Sequence, residues 1–101
     1  MIGLCQWRIV QSMEFGWHAA KSEATYQQRG FDFAYASRIF PNVAHLESQH
    51  RGGEVREKVM GEVDGLVLVV VFTIRGDLHW IISARRANRK ERRQWQSFVA
   101  R

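Results

Sequence analysis

The sequence predicts an α+β fold: two N-terminal helices, an antiparallel sheet of about four strands and a C-terminal helix. Three observations carry that reading. Residues 18–29 are rich in Ala, Lys, Glu and Gln, lack proline and run into Gly30, a natural left-handed helix stop. Three strand-like segments, 55–62, 66–74 and 78–84, follow one another across the turn sequences Asp64-Gly65 and Arg75-Gly76-Asp77. Finally, Asn88 stands three residues before Glu91, a capping-box pair that opens a helix carrying Trp95, Phe98 and Val99.

Taken in order, residues 1–12 read as an N-terminal extension. Met13 is a second candidate start, and residues 4–10, with Trp7, Ile9 and Val10, alternatively form an added edge strand. After the first helix, Asp32 caps a second, short one in which Phe33, Ala36, Ser37 and Phe40 share a face, and Pro41-Asn42 ends it. Residues 43–47 read as a brief strand and 48–53 as a polar loop with two glycines. The run 66–72 is apolar at every position, which places it at the centre of the sheet with helices over both faces. On the last helix, Arg89, Arg92, Arg93 and Gln96 fall opposite the apolar stripe.

A chain of 101 residues, 46% apolar and 25% charged, fits one compact domain over 13–101 and argues against wholesale disorder. The lone Cys5 has no partner for a disulfide or a cysteine-based zinc site. The longest apolar run falls far short of a bilayer span and nothing resembles a secretion signal, so a cytoplasmic protein without membrane contact is expected. Charge is the unusual feature. From Arg85 onward the chain holds seven of its fifteen Lys and Arg and one acid, Glu91, for +6, whereas residues 1–84 sum to −1. Such clustering points to a phosphate-bearing partner, and RNA fits best.

RNA cleavage needs neither metal nor cofactor when the neighbouring 2′-hydroxyl attacks the phosphate, because the nucleophile is already held in the substrate. The protein must then stabilise charge and move protons, and a guanidinium fork suits the non-bridging oxygens better than an ammonium. Arg85 is the leading candidate, with its neighbour Arg86 on the opposite face as backbone or partner anchor. Arg56, two residues past Glu54, shares its face; Glu54 can take the 2′-hydroxyl proton, or the two brace each other as an ion pair. His18 is the candidate leaving-group acid, against the commoner structural role of a lone histidine. Lys21, Arg75, Arg89, Arg92 and Arg93 are candidate phosphate contacts or solvated surface, and Trp80 a candidate stacking platform. The acids are scattered and no His or Cys spacing suggests a metal set. The expected site has guanidiniums from separate stretches converging on one scissile phosphate.

Several words of the sequence, in their order, resemble the BrnT toxins of bacterial type II toxin-antitoxin systems. They are Phe15-Gly16-Trp17 with Ala20-Lys21, Gly30-Phe31-Asp32-Phe33 with Ala36, Gly53-Glu54-Val55-Arg56 with Gly61, and the run from Gly65 to Val71. Thr73, Arg75-Gly76-Asp77 and Ile81-Ile82-Ser83-Ala84-Arg85-Arg86-Ala87 with Arg89 to Trp95 complete the series. The resemblance covers residues 13 to about 98. It implies a fold like that of the RelE ribonucleases, an activity that cuts RNA and stops growth, and a cognate BrnA antitoxin whose complex with the toxin binds operator DNA. The chain departs from that pattern at Thr25, Tyr26 and Arg29, where relatives carry an Asn and a His, so no role for that histidine carries over. It also departs at Val55 for a second acid, at Trp80 for an Arg, and at Trp95 for a Tyr, which excludes a phenol acting there. Two function classes follow: a metal-independent endoribonuclease toxin, or a non-catalytic RNA-binding or co-repressor module. The first predicts that Arg85→Ala abolishes growth arrest with the melting temperature nearly unchanged.

Overall fold

The computed structural model describes residues 13–100. The alternative readings of residues 1–12 lie outside them. Five strands form one sheet in the order β1-β5-β4-β3-β2: β1 (Glu14–Trp17), β2 (Val43–Arg51), β3 (Glu54–Val63), β4 (Leu66–Arg75) and β5 (Leu78–Arg86). The helices are α1 (Ala19–Arg29), α2 (Phe33–Ala36), which runs into a 3₁₀ turn at Ser37–Ile39, and α3 (Arg89–Val99).

The expected α+β class holds, with one strand more than expected. β1 pairs in parallel with β5, Phe15 opposite His79 and Trp17 opposite Ile81. This pairing depends on Gly16, because a Cβ there would stand 2.8 Å from the Trp80 ring. The polar loop expected at 48–53 is instead the second half of β2, which runs to Arg51 and turns on Gly52 and Gly53 alone, both with positive φ. Asp64 and Gly65 (φ 51° and 79°) make the next hairpin turn, and two positive φ values in succession match the right-handed strand twist.

β4 is central and covered on both sides, as its unbroken apolar run requires. On one face Leu68, Val70 and Phe72 meet Phe33, Ile39 and Phe40 from the N-terminal helical layer. On the other, Val69 and Met60 meet Trp95 of α3, whose indole N–H donates to Glu62 at 2.7 Å. The stripe expected on α3 ends sooner than its sequence suggested: Trp95 is buried and Phe98 half-buried, but Val99 is exposed.

Gly61 on β3 lets the 3₁₀ turn lie directly on the sheet. A Cβ at this position would sit 2.7 Å from Ile39 Cβ and 3.1 Å from the Asn42 carbonyl oxygen. Gly61→Ala should therefore destabilise the fold by about 1–3 kcal/mol, the usual cost of overpacking a filled core. Urea denaturation measures it directly, and an unchanged midpoint would show that the turn yields freely.

Candidate nucleic-acid interface

Strand register decides which basic residues share a surface. Arg56 lies opposite Thr73 and Arg85 opposite Val69, four residues apart on β4, and alternation puts both arginines on the face that α3 partly covers. The apolar cluster under α3 reaches along the sheet only to the level of Met60 and Val69. Beyond it come three cross-strand rows: Lys58, Val71 and Ser83; then Arg56, Thr73 and Trp80; then Glu54, Arg75 and Leu78. Four residues of strand and two strand spacings separate Arg56 from Arg85, roughly 16 Å at the backbone. The two guanidiniums therefore frame a strip and do not converge on one point, contrary to the expectation from sequence.

At the far end of the strip Glu54 sits between two arginines, Oε1 3.8 Å from Arg56 Nε and Oε2 3.4 Å from Arg75 Nε. The Arg75 guanidinium lies 4.9 Å above the Trp80 ring, and that ring rests on Gly16. Trp80 is thus half-buried, with a cation over it in place of open solvent. Arg56 Nε is buried and has no hydrogen-bond partner among the described residues, which hold this guanidinium chiefly through its strand and one long ion pair. Thr73 closes the floor, its hydroxyl donating to the Val55 carbonyl at 2.8 Å.

Arg85, at the near end, is already engaged. Its Nη1 and Nη2 donate to Glu91 Oε1 and Oε2 at 2.8 and 2.9 Å, a bidentate fork between the end of β5 and the first turn of α3. Glu91 also accepts from the Asn88 amide at 2.9 Å while its own amide donates to Asn88 Oδ1 at 2.8 Å, so the capping box read from sequence is formed. The Arg85 hydrogen bonds hold the Glu91 carboxyl down to about 2, and the same fork raises Arg85. Arg85 is therefore a brace as well as a cation, and Arg85→Ala is no longer expected to leave the melting temperature unchanged.

The remaining candidates lie apart. His18 caps α1 through its backbone carbonyl, exposed at the end of β1 opposite the one where Glu14 meets Leu78 beside Arg75, so it is not brought to Glu54 and Arg56. Lys21 is exposed in the first turn of the same helix, on the other layer of the molecule. Arg89, Arg92 and Arg93 line a shallow hollow of about 300 Å³ with Gln96 on the outer side of α3. Arg86 leaves β5 on the face opposite Arg85, as alternation demands, although both border a hollow of about 500 Å³ at the end of the sheet. Sequence reasoning passed over Lys58, although the alternating word Glu54-Arg56-Lys58 already placed it on the same face. On the opposite face Ser48, His45 and Glu57 form a group with the residue types of a hydrolytic triad. Both contacts converge on His45 Nε2, at 2.9 Å to Glu57 and 3.2 Å to Ser48, so no proton relay runs through the ring. Among the described residues no set of three or more His, Cys, Asp or Glu is placed to hold a metal ion.

A sequence model of the family described as the ribonuclease toxin, BrnT, of type II toxin-antitoxin systems matches residues 17–91. The chain belongs to the BrnT family. A search of curated proteins and one of solved structures each return no match. The BrnT match spans Glu54, Arg56, Arg75, Trp80, Arg85 and Glu91, so the whole strip and its brace lie within the family region. Arg92 and Arg93, on the outer side of α3, lie beyond it. Membership in the BrnT family makes the chain a ribonuclease toxin by family, with an antitoxin protein as partner and RNA as substrate. No helix among the described residues is long and apolar enough to cross a membrane.

Proposed function

We propose that this protein is a metal-independent endoribonuclease toxin that cleaves RNA laid along the open strip of the sheet. The observation that carries the reading is the cluster of Arg56, Glu54, Arg75 and Trp80 on a face that α3 leaves uncovered, with Lys58 and Arg85 further along it. Arg56 donates to the non-bridging oxygens of the scissile phosphate, where charge builds as the 2′-hydroxyl attacks. Glu54 accepts the hydroxyl proton as the 2′-oxygen bonds to phosphorus, the P–O5′ bond breaks and the departing 5′-oxygen takes a proton from water, while Arg75 on Trp80 holds the neighbouring nucleotide by charge and stacking. Arg85 and Lys58 meet the backbone further along, Arg85 by sharing its fork between Glu91 and phosphate. Arg86, Arg89, Arg92, Arg93 and Lys21 contribute sequence-independent attraction, and His18 stands too far from Glu54 to complete the same proton transfer.

A BrnA-like antitoxin covers the strip in the inactive complex, and that complex, not the toxin alone, meets operator DNA. Both reaction and regulation take place in the cytoplasm. Purified protein incubated with RNA in EDTA should yield fragments with 2′,3′-cyclic phosphate ends, and growth arrest on induction should be relieved by the adjacent antitoxin gene. Loss of cleavage in EDTA with rescue by Mg²⁺, or 3′-hydroxyl ends, would overturn the mechanism. The rival reading, a non-catalytic RNA-binding or co-repressor module, is favoured by one observation, the engagement of Arg85 with Glu91. It predicts a mobility shift of RNA without any cleavage.

A further inference from the structure

We propose that the two hollows bordered by Arg86, at the end of the sheet beyond the Arg85 end of the strip, form a subsite for one nucleotide of single-stranded RNA. Its phosphate lies against Arg29 and Arg86, and its base among Tyr26, Phe31, Asp32 and Tyr35. This rests on the RNA reading above and adds where a nucleotide further along the strand from the cleaved bond is held.

The first hollow, about 500 Å³, is lined by Gln28, Arg29, Arg85 and Arg86. Arg29, Arg85 and Arg86 all border it, and among the described residues Arg85 is the one of the three paired with a carboxylate. Arg29 is fixed there because Nη1 donates to the Ala84 carbonyl at 2.8 Å, which ties the last turn of α1 to β5 and leaves its other N–H groups for a ligand. The remaining Arg29 N–H groups and the Arg86 fork, with an amide beside them, suit a phosphate dianion or diester.

The second hollow, about 450 Å³, shares Arg86 as a wall and is lined otherwise by Tyr26, Phe31, Asp32, Tyr35 and Leu66. Both volumes fall in the range of about 300–1,000 Å³ typical of small-ligand sites. Tyr26 is half exposed on a helix whose buried face is supplied by Ser22 and Thr25, so the core has no use for its ring. Tyr35 is anchored by its hydroxyl, which donates to Asp64 Oδ2 at 3.0 Å, and its ring centroid lies 6.3 Å from that of Phe31. Aromatic faces beside a cation accept any base by stacking. Asp32 adds discrimination: Oδ1 accepts from the Tyr35 amide at 2.9 Å, and the other oxygen has no partner among the described residues. A free carboxylate oxygen accepts from the amines of guanine, cytosine or adenine and has nothing to accept from the carbonyl edge of uracil beyond one imino N–H.

The test reads binding separately from cleavage. The ¹H–¹⁵N spectrum of the full chain is titrated with GMP, AMP, CMP, UMP and inorganic phosphate. Expected are shifts of the Gly30, Phe31, Asp32 and Arg86 amides with the three amine-bearing nucleotides, weaker with UMP, and confined to Arg29 and Arg86 with phosphate. Arg86→Ala and Tyr26→Ala should each weaken nucleotide binding about tenfold, the scale of one lost stack or ion contact. With an RNA substrate, Tyr26→Ala should raise KM about tenfold at constant kcat. Unmoved amides with every probe overturn the subsite, as does an unchanged KM in both variants of an enzyme that cleaves RNA normally. Loss of antitoxin binding in those variants, with nucleotides leaving the amides unmoved, assigns the hollows to the protein partner and also overturns it. Shifts in a protein that cleaves no RNA would uphold the subsite and sink the nuclease reading alone.

Discussion

Arg56→Ala should lower kcat/KM for an oligoribonucleotide about 100- to 1,000-fold, the range seen when one preorganised donor to a developing oxyanion is removed. The fold should scarcely register the change. Arg56 is half exposed, its one ion partner among the described residues lies 3.8 Å away, and Glu54 keeps Arg75 at 3.4 Å when Arg56 is gone. Exposed pairs of this kind contribute about 0–1 kcal/mol, so melting should move by about 8 °C at most. Arg56→Lys restores charge without the fork and should recover only part of the rate. Cleavage within a few-fold of wild type in Arg56→Ala would remove this residue from the reaction and with it the argument from the strip.

Much of the molecule was legible because it is encoded locally. The hairpin at Asp64-Gly65, the apolar run of β4, the Gly30 stop and the Asn88–Glu91 capping box each need only a few adjacent residues to declare themselves. β2 was read short for a physical reason. As the edge strand its second half, Ser48-Gln49-His50-Arg51, is exposed on both faces, so no apolar alternation marks it. β1 was missed because its partner lies more than sixty residues away and its centre is a glycine, whose purpose appears only when the Trp80 ring is seen against it.

The site was legible as a face and not as a geometry. Two-residue spacing put Glu54 and Arg56 side by side, and the structure adds Lys58, Arg75 and Trp80 by register. The partner of Arg85 could not be read, because the chain turns between them. Ala87 is buried and its amide donates to the Val67 carbonyl at 2.9 Å, which swings α3 back over the end of β5 and brings Glu91 onto the arginine. The C-terminal positive surplus is therefore spread over three places: the fork of Arg85 on Glu91, the hollow that Arg86 borders with Arg29 and Arg85, and the outer side of α3.

That brace leads to the second large effect. Arg85→Ala should cost about 1–2 kcal/mol, discounted for the 38% exposure of its side chain, and lower the melting temperature by roughly 4–16 °C. It strips the Glu91 carboxylate of its fork at the point where α3 begins. Glu91→Gln should cost a similar amount, since an amide still closes the cap but no longer draws both Arg85 nitrogens. The double variant should be less destabilised than the sum of the two, by about 1 kcal/mol, because each single change already abolishes the shared interaction. The acid side fixes the sign. With the Glu91 carboxyl lowered from 4.5 to about 2, its stabilisation is complete above about pH 4.5 and fades as pH falls toward 2. The gap between wild type and Arg85→Ala should accordingly be widest near pH 7 and close by about pH 2. Thermal melts of the four proteins at both pH values decide it: additive losses, or a gap that persists at low pH, would show that the fork does not hold α3 to the sheet. If the fork does hold, loss of toxicity in Arg85→Ala cannot by itself assign Arg85 to catalysis. Comparison with Glu91→Gln, which keeps the guanidinium and removes only its brace, then separates a substrate contact from a structural one.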